Sequence, residues 1–500
     1  MNTKHALEEV YKTMKEADTY IHAAGILSYD QETICPPAAM EEQGEIASLL
    51  YNKAFTLRRD PSFISNMEYL YFHRNELDEF DAANVSSFHR EYIKDKNITP
   101  EMQLRFSNIF NKGHVAWLHA KQNSDYSIFL PALEKIRQVE MERYRLCDEK
   151  FATPYDFLFD SFESGVTSAD LDHAFGRFKD RIFPLFDSIR NSGKKIRTDF
   201  LSRPVPVHIQ EKLSKKLMDI LGLDPERRAL TVSEHPFTDG YSINDVRITT
   251  HYYEDAFASN MYSVIHEGGH ALFEMFQPAA NHKHYLNSKT MGQHESVSRF
   301  YENIIGRSEA FVHLIYPVLR ELMPDTMSDV TERELYEALN VVQPSLVRTE
   351  ADEFTYTFHV IIRYEIEKEM VNGDLDLKRL PEIWNEKYRE YLGVVPENDR
   401  DGVLQDMHWS SGFGYFPTYA LGNMYNAMYY NRMQQDFDVM QAVSSGDMAR
   451  ILDWMKANVF AKADRMDPKP WIHEITGRDF TPDDFLDYLE KKYVDLYGLD

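Results

Sequence analysis

Apolar side chains recur at intervals of three and four residues along most of the chain, which is the spacing of one face of an α-helix. Near the amino-terminal end this pattern runs through Leu7, Val10, Tyr11, Met14, Ala17 and Ile21. It predicts further helices at 41–57, 101–150, 168–192, 209–221, 308–322, 332–339, 347–371 and 448–460. A last helix is predicted after Thr481, which can cap it, with Pro482 in its first turn. The pattern as a whole indicates a mainly α-helical protein.

Residues 229–251 follow a different pattern. Val246, Ile248 and Thr250 alternate with other residues as in a half-buried strand, and Asp239-Gly240 is a typical turn pair. We therefore expect a small antiparallel β-sheet inside an otherwise helical protein. The sequence contains no internal repeat, low-complexity tract or Gly/Ser linker, so we expect a single domain over residues 1–500.

Composition narrows the class of protein. The chain has 500 residues, of which 43% are hydrophobic, enough for a large packed core. Its net charge of −26 argues against nucleic-acid binding, because clustered Lys and Arg are needed to neutralise phosphates. The two cysteines, Cys35 and Cys147, provide neither a disulfide framework nor a thiolate metal site. No signal peptide and no run of about 20 apolar residues is recognisable, so we expect a cytoplasmic protein without membrane association.

The strongest chemical signal is the HExxH sequence from His266 to His270. Two histidines four residues apart lie on the same face of a helix, so both imidazoles can bind one zinc ion. Glu267, between them, can act as a general base in hydrolysis. The Gly268-Gly269 pair lowers helix propensity by about 2 kcal/mol relative to two alanines. We hypothesise that the pair leaves space for a substrate beside the ligands.

A catalytic zinc ion usually has three protein ligands, so a third is expected downstream. The residues from 294 to 303 form another helical stretch with two candidates, Glu295 and Glu302. The residues themselves leave the choice open, and a solvated surface carboxylate is the alternative for either.

Several further motifs occur in a fixed order along the chain. They are His235-Pro236-Phe237, Asp245 to Thr249, the HExxH sequence, His294-Glu295-Ser296, Arg348 to Asp352 (similar to IRxxAD) and Gly402 to Trp409 (similar to GxxQDxHW). With these motifs the chain resembles the carboxypeptidase Taq family of metallopeptidases over most of its length. Val297, Val347, Tyr29 and Cys35 depart from residues that are common in that family.

The resemblance implies a large helical metallopeptidase fold with a small sheet near the active site and a long substrate groove. It implies a homodimer that binds one Zn²⁺ per subunit, which Co²⁺ can replace. The implied activity is the release of single amino acids from peptides with a free C-terminus, with broad specificity and poor action on C-terminal proline. It also selects Glu295 over Glu302 as the third ligand, and Val297 raises the question of what orients Glu295.

Recognition of a free carboxylate suits arginine, whose planar fork pairs with both oxygens. Arg348 of the IRxxAD-like motif is the first candidate. Arg247 is the second, with a structural ion pair to Asp245 as its alternative role. Asp352 and Asp406 are candidates to orient a histidine or an arginine.

Donors to the developing oxyanion are needed as well. The candidates are His235, His408, Tyr415 and Tyr419. A zinc endopeptidase and a helical binding protein with a decayed site are the rival interpretations.

Overall fold

The computed structural model describes residues 2–287 and 289–499, and most of them are helical. In its first half the α-helices are α1 (Thr3–Thr33), α2 (Met40–Arg58), α3 (Pro61–Phe72), α4 (Glu79–Asp95), α5 (Pro100–Asn123), α6 (Tyr126–Leu146), α7 (Pro154–Phe159), α8 (Ser168–Asn191) and α9 (Val207–Leu221). In its second half they are α10 (Phe257–Met275), α11 (Ala279–Lys283), α12 (Met291–Arg299), α13 (Glu309–Leu322), α14 (Pro324–Met327), α15 (Glu332–Leu339), α16 (Tyr356–Asn372), α17 (Leu380–Tyr391), α18 (Pro417–Asp436), α19 (Val439–Ser444), α20 (Met448–Met455), α21 (Ala461–Ala463), α22 (Pro468–Thr476) and α23 (Asp483–Tyr497). The π-helical segments Phe300–Ile305 and Lys456–Phe460 continue α12 and α20. The predicted fold class is confirmed.

Two predicted helices differ from the observed ones because a local cap interrupts them. The stretch 101–150 is split at Ser124, whose backbone is left-handed with φ 53°. The stretch 347–371 becomes helical only at Tyr356. The residues just before Tyr356 do not join the α-helix, because the Asp352 carboxylate accepts hydrogen bonds from the backbone N–H groups of Phe354 and Thr355, both at 2.9 Å.

The strands are β1 (Arg228–Val232), β2 (Thr238–Ser242) and β3 (Asp245–Thr250), in the order β1-β3-β2. β2 and β3 form an antiparallel hairpin, but β1 pairs with β3 in parallel, so the prediction of an antiparallel sheet is wrong for β1. The reason is the connection 233–237, which carries the chain from one side of β3 to the other. The predicted turn also lies elsewhere: Asp239 and Gly240 are inside β2, and a Cβ at Gly240 would lie 2.7 Å from Glu274 Cγ.

Buried apolar side chains form two clusters in the described part of the chain. The large cluster includes most of α10, α16 and α18. A smaller one joins α1, α3 and α4 through Ala6, Val10, Met14, Phe63, Met67, Leu70 and Val85. The amino-terminal helices therefore form a layer with its own core.

The helices that bear the motif residues approach each other unusually closely. A Cβ at Gly269 of α10 would lie 2.6 Å from the Cα of Ser298 in α12, and one at Gly268 would lie 2.6 Å from Leu221 Cδ1. The hypothesis that this pair leaves room for a substrate is therefore wrong, since both glycines allow close packing instead. Gly422 of α18 also approaches α12 closely, because a Cβ on it would lie 3.0 Å from the carbonyl carbon of Glu295.

Within the described residues, no helix combines the length and the apolar character that are needed to cross a bilayer.

Candidate metal centre and active site

Three side chains meet where α10 and α12 pack together. His266 and His270 lie one turn apart on α10, and Glu295 lies opposite them on α12. Glu295 Oε2 is 3.8 Å from Nε2 of His266 and 3.4 Å from Nε2 of His270. Two atoms that each bind one zinc ion at about 2.1 Å stand about 3.4 Å apart at the tetrahedral angle. The donor set of two imidazoles and one carboxylate therefore fits a metal ion.

The Nδ1 atoms of both imidazoles, which face away from Glu295, already have hydrogen-bond partners. His266 Nδ1 donates to Glu302 Oε2 at 2.7 Å. His270 Nδ1 lies 2.5 Å from Nδ1 of His294, whose Nε2 is 2.7 Å from Glu274 Oε1. We assign the proton to His270 Nδ1, because His294 donates through its Nε2 to Glu274. Both Nε2 atoms are thus left to face Glu295, the orientation that metal-binding histidines take.

Charge also favours a cation here. Burial would lower the pKa of His266, but Glu295 and Glu302 outweigh it and raise this pKa to about 9. Burial likewise opposes ionisation of Glu302, yet Arg299 and His266 lower its pKa to about 2. The pKa of Glu295 is held well below its ordinary value, despite burial, by His266 and Arg299. An anionic cavity of this kind attracts a metal ion.

Glu295 is oriented by its own helix. Its Oε1 accepts a hydrogen bond from Arg299 Nε at 2.8 Å, and its Oε2 accepts one from Ser298 Oγ at 3.3 Å. The Arg299 guanidinium in turn stacks on Tyr356, 4.0 Å from the ring centroid. Val297 is fully buried in the apolar core, so its departure from the family pattern does not remove the groups that orient Glu295.

Glu267 is fixed by a residue that the sequence reasoning missed. Its side chain is buried, and Oε2 accepts a hydrogen bond from Thr238 Oγ1 at 2.7 Å. Thr238 is the first residue of β2 and directly follows the His235-Pro236-Phe237 motif. That motif was the feature of the sequence that could have indicated Thr238 as a site residue.

The predicted carboxylate-binding residue, Arg348, lies in a buried polar network. It donates from Nη1 to Tyr356 Oη at 2.7 Å and from Nη2 to Asp406 Oδ1 at 3.0 Å. Arg363, which sequence reasoning also missed, pairs with the other oxygen of Asp406 at 2.6 Å. Two guanidinium groups therefore share one carboxylate, and the network keeps one excess positive charge. Asp406 orients an arginine as predicted, whereas Asp352 caps backbone N–H groups instead.

Three of the predicted donors surround this network. His408 Nε2 lies 3.4 Å from Tyr419 Oη, and the Tyr419 ring lies under Arg348 at 4.7 Å. Burial lowers the pKa of His408 to about 4, so its imidazole is neutral at neutral pH. Burial and then the charge of Glu295 raise the pKa of Tyr415 to about 12. The Tyr415 and Tyr419 rings pack edge to face with 5.3 Å between their centroids. Burial first, with the charge of Glu295 as a smaller cause, raises the pKa of both phenols.

Arg247 and His235 lie apart from this group. Arg247 donates twice to Asp245, at 2.9 Å each, and stacks against Tyr29 and Tyr241, so the structural alternative describes it better. His235 is exposed, and its backbone oxygen accepts from Ser233 Oγ at 2.7 Å.

A second cluster of potential ligands occurs in the described residues, formed by Asp78, Asp81 and His284. Its polar atoms bond to one another and to Tyr11: His284 Nδ1 lies 2.6 Å from Asp81 Oδ1 and 2.8 Å from Tyr11 Oη. Asp78 caps α4 by accepting from two backbone N–H groups.

Comparisons with known proteins agree with this geometry. The profile of the carboxypeptidase Taq (M32) metallopeptidase family matches residues 9–493. Carboxypeptidase 1 of Bacillus subtilis is 34% identical, with 98% of this chain and 99% of that protein covered. Thermostable carboxypeptidase 1 of Thermus thermophilus is 33% identical, with both chains covered completely.

Comparison with solved structures points to the same family. The M32 carboxypeptidase of Deinococcus radiodurans superposes with a TM-score of 0.95 at 31% identity, over 99% of this chain and 100% of that chain. A Pyrococcus furiosus carboxypeptidase structure has a TM-score of 0.94 at 32% identity, over 98% and 99% of the two chains. The motifs, the fold and the group of candidate metal ligands on α10 and α12 support the same assignment. The chain belongs to the carboxypeptidase Taq (M32) family and is a metallocarboxypeptidase, a peptide hydrolase.

Proposed function

We propose that His266, His270 and Glu295 hold one Zn²⁺ ion per subunit, and that Co²⁺ can take its place. Two imidazoles and a carboxylate are the ligand set of many catalytic zinc sites, which keep a further position open. When bound, the ion would act as a Lewis acid on the scissile carbonyl and make water more acidic. The strongest support is that the Nε2 atoms of His266 and His270 both lie within 3.8 Å of Glu295 Oε2. Their Nδ1 atoms are hydrogen-bonded to Glu302 and His294, respectively.

Glu267 is the general base in this proposal. It takes a proton from the water that attacks the scissile carbonyl and delivers it to the leaving amine nitrogen. Thr238 holds the Glu267 carboxylate through its 2.7 Å hydrogen bond, which fixes the oxygen that does not receive the proton.

Arg348 recognises the free carboxylate of the substrate. The support is electrostatic: Arg348 and Arg363 share Asp406, so a second carboxylate would complete the charge balance. A substrate that presents an internal peptide bond leaves this buried charge unpaired, which weakens binding. His408, Tyr415 and Tyr419, whose rings contact one another beside Arg348, are the proposed donors to the oxyanion.

Further traits rest on the family resemblance alone. They are broad specificity, poor release of C-terminal proline and a homodimeric state. The single domain over residues 1–500 is proposed because the sequence contains no internal repeat, low-complexity tract or Gly/Ser linker. A cytoplasmic location is in keeping with Cys35 and Cys147, neither of which is paired.

Mass spectrometry of a peptide digest tests the proposal. One peptide is used with a free and with an amidated C-terminus, with and without a chelator, and metal-depleted protein is reloaded with Zn²⁺ or Co²⁺. We expect stepwise, chelator-sensitive loss of residues from the free end only. Internal cleavage of both peptides would instead indicate an endopeptidase and would remove Arg348 from its proposed role.

A further inference from the structure

The side chain of Tyr356 contacts two arginines of the proposed site. Its Oη accepts a hydrogen bond from Arg348 Nη1 at 2.7 Å. Its ring faces the guanidinium of Arg299, whose carbon lies 4.0 Å from the ring centroid. Arg299 in turn donates from Nε to Glu295 Oε1 at 2.8 Å. One aromatic side chain therefore joins the arginine proposed to bind the substrate carboxylate to the arginine that holds a proposed metal ligand.

The same ring limits the distance between the two guanidinium groups. The guanidinium carbon of Arg348 lies 5.9 Å from the Tyr356 ring centroid, and that of Arg299 lies 4.0 Å from it. The two carbons cannot be farther apart than these two distances together. Arg299 Nη1 also lies 3.4 Å from Oε2 of Glu302, which holds His266. A shift of Arg299 would therefore disturb the support of two of the three proposed ligands.

Tyr356 is itself firmly held. It is the first residue of α16 and is 3% exposed. Its backbone N–H donates to the carbonyl of Asp352 at 3.0 Å, and the Asp352 carboxylate accepts from the backbone N–H groups of Phe354 and Thr355. Its ring packs edge to face against Tyr419, with 6.1 Å between the centroids. A ring that is fixed in this way between two arginines can act as a spacer.

Arg348 keeps donors for a carboxylate after these contacts are made. A guanidinium group has five N–H hydrogens. Within the described residues, Asp406 accepts from Nε at 3.2 Å and from Nη2 at 3.0 Å, and Tyr356 accepts from Nη1. One hydrogen remains on each terminal nitrogen, and such a pair of donors suits the two oxygens of a carboxylate. Tyr356 thus fixes the guanidinium without using the donors that a substrate needs.

A fixed spacing selects one bond of a peptide. In the last residue, one amide nitrogen and one Cα separate the scissile carbonyl from the carboxylate. An extra methylene in this span lengthens it by up to about 1.5 Å, the length of one carbon–carbon bond. A misplacement of about 1 Å at the reacting atoms costs about a hundredfold in rate. The distance between the carboxylate-binding group and the metal ligands therefore decides which bond is cleaved.

We infer that Tyr356 is a positioning residue that sets the spacing between Arg348 and Glu295, and so restricts hydrolysis to the last peptide bond. The inference rests on the proposed function, because it takes the roles of Arg348 and Glu295 from it. It adds a residue that determines which bond of the substrate lies at the metal ion. Tyr356 acts through the two arginines and needs no contact with the substrate.

Two peptides that differ by one methylene measure this spacing. They are identical except that one ends in glycine and the other in β-alanine. Initial rates of release of the last residue give kcat/KM for each peptide with zinc-loaded protein. Both values come from one protein sample, so an inactive fraction cancels in their ratio. The variants are Tyr356→Phe, which removes only the hydroxyl group, and Tyr356→Leu, which removes the ring as well.

Tyr364 provides the matched control. It lies on the same helix, α16, and is 1% exposed. Its Oη donates to the carbonyl of Ser168 at 3.0 Å and to Asp172 Oδ1 at 2.8 Å. Tyr364→Phe and Tyr364→Leu therefore delete the same groups from the same helix, at a position whose hydrogen bonds involve neither arginine.

We expect the wild-type protein to prefer the glycine peptide by about a hundredfold in kcat/KM. This preference falls to about tenfold in Tyr356→Phe, because Arg348 loses its tether, and falls further in Tyr356→Leu. Zinc affinity is unchanged in Tyr356→Phe but drops about tenfold in Tyr356→Leu, because Arg299 loses its support. Both Tyr364 variants keep the wild-type preference.

A wild-type preference near one, an unchanged preference in Tyr356→Phe, or an equal fall in the Tyr364 variants would overturn the spacing role while leaving the carboxypeptidase proposal intact. The phenylalanine variant keeps the test decisive if the leucine variant does not fold. Absence of cleavage of both peptides by zinc-loaded wild-type protein would contradict the proposed function and this inference together.

Discussion

Replacement of Gly269 by alanine should damage the metal centre through packing alone. The added Cβ would lie 2.6 Å from Ser298 Cα and 3.1 Å from Val297 O. Both atoms belong to the backbone of α12 and cannot rotate away, so α10 and α12 must separate by about 1 Å to reach ordinary contact distance. Overpacking of this kind costs about 1–3 kcal/mol.

The same separation moves Glu295 away from the two imidazoles, because Glu295 lies on α12 and the histidines lie on α10. We therefore expect Gly269→Ala to weaken zinc binding by about 10–100-fold, the range found when groups that orient metal ligands are lost. Urea unfolding of the chelated protein measures the packing cost, and a chelator competition measures the affinity.

Gly176 provides the matched control. It also lies inside a helix, α8, but nothing stands within 4 Å of its Cβ position. Gly176→Ala should leave zinc affinity unchanged and raise the free energy of unfolding by up to about 1 kcal/mol, because alanine has the higher helix propensity. If Gly269→Ala instead behaves like Gly176→Ala in both measurements, the close approach of α10 and α12 does not set the ligand geometry.

Three other predictions concern charged groups. Glu302→Gln should lower zinc affinity about tenfold in the same competition assay, because the anion behind His266 Nδ1 is lost; unchanged affinity would contradict its orienting role. Arg348→Met should lower kcat/KM for free-ended peptides at least about a hundredfold while leaving zinc affinity unchanged; an unchanged kcat/KM would remove it from carboxylate recognition. Burial raises the pKa of Glu367 from 4.5 to about 7, so the folded protein keeps a proton that the unfolded chain releases above pH 4.5. This group therefore lowers stability progressively between pH 4.5 and 7, by up to about 3 kcal/mol, and Glu367→Gln should gain that much relative to the wild-type protein over this range in urea unfolding; a difference that does not change with pH would refute it.

Local periodicity was sufficient to predict most helices, because one face of each packs against the core. The pairing of strands was not predictable in this way. The alternation around Val246 indicates a strand, but nothing local states that β1 lies beside β3 in parallel. Gly240 illustrates the difficulty: its sequence context suggests a turn, whereas the neighbouring Glu274 is what requires a glycine there.

The ligand pair in the site was predictable because a spacing of four residues fixes two side chains on one helical face. Spacing alone did not choose between Glu295 and Glu302, since both lie on one helical stretch, and the family resemblance selected Glu295. The tertiary packing gives the physical reason, because Glu295 lies before the two Nε2 atoms and Glu302 lies behind His266.

The two arginines were similarly ambiguous, because each lies near an aspartate that can neutralise it. Arg247 and Asp245 lie two residues apart and pair fully, whereas Arg348 must share Asp406 with Arg363, which is distant in sequence. The excess charge that supports carboxylate binding is thus a property of the packed network.

Anomalous X-ray diffraction at the zinc absorption edge, from crystals grown with Zn²⁺, tests the central claim most directly. We predict a strong anomalous peak for one zinc ion about 2.1 Å from Nε2 of His266, Nε2 of His270 and Oε2 of Glu295. A peak at the cluster of Asp78, Asp81 and His284 with none between α10 and α12, or no peak at either place, would contradict the proposed metal centre.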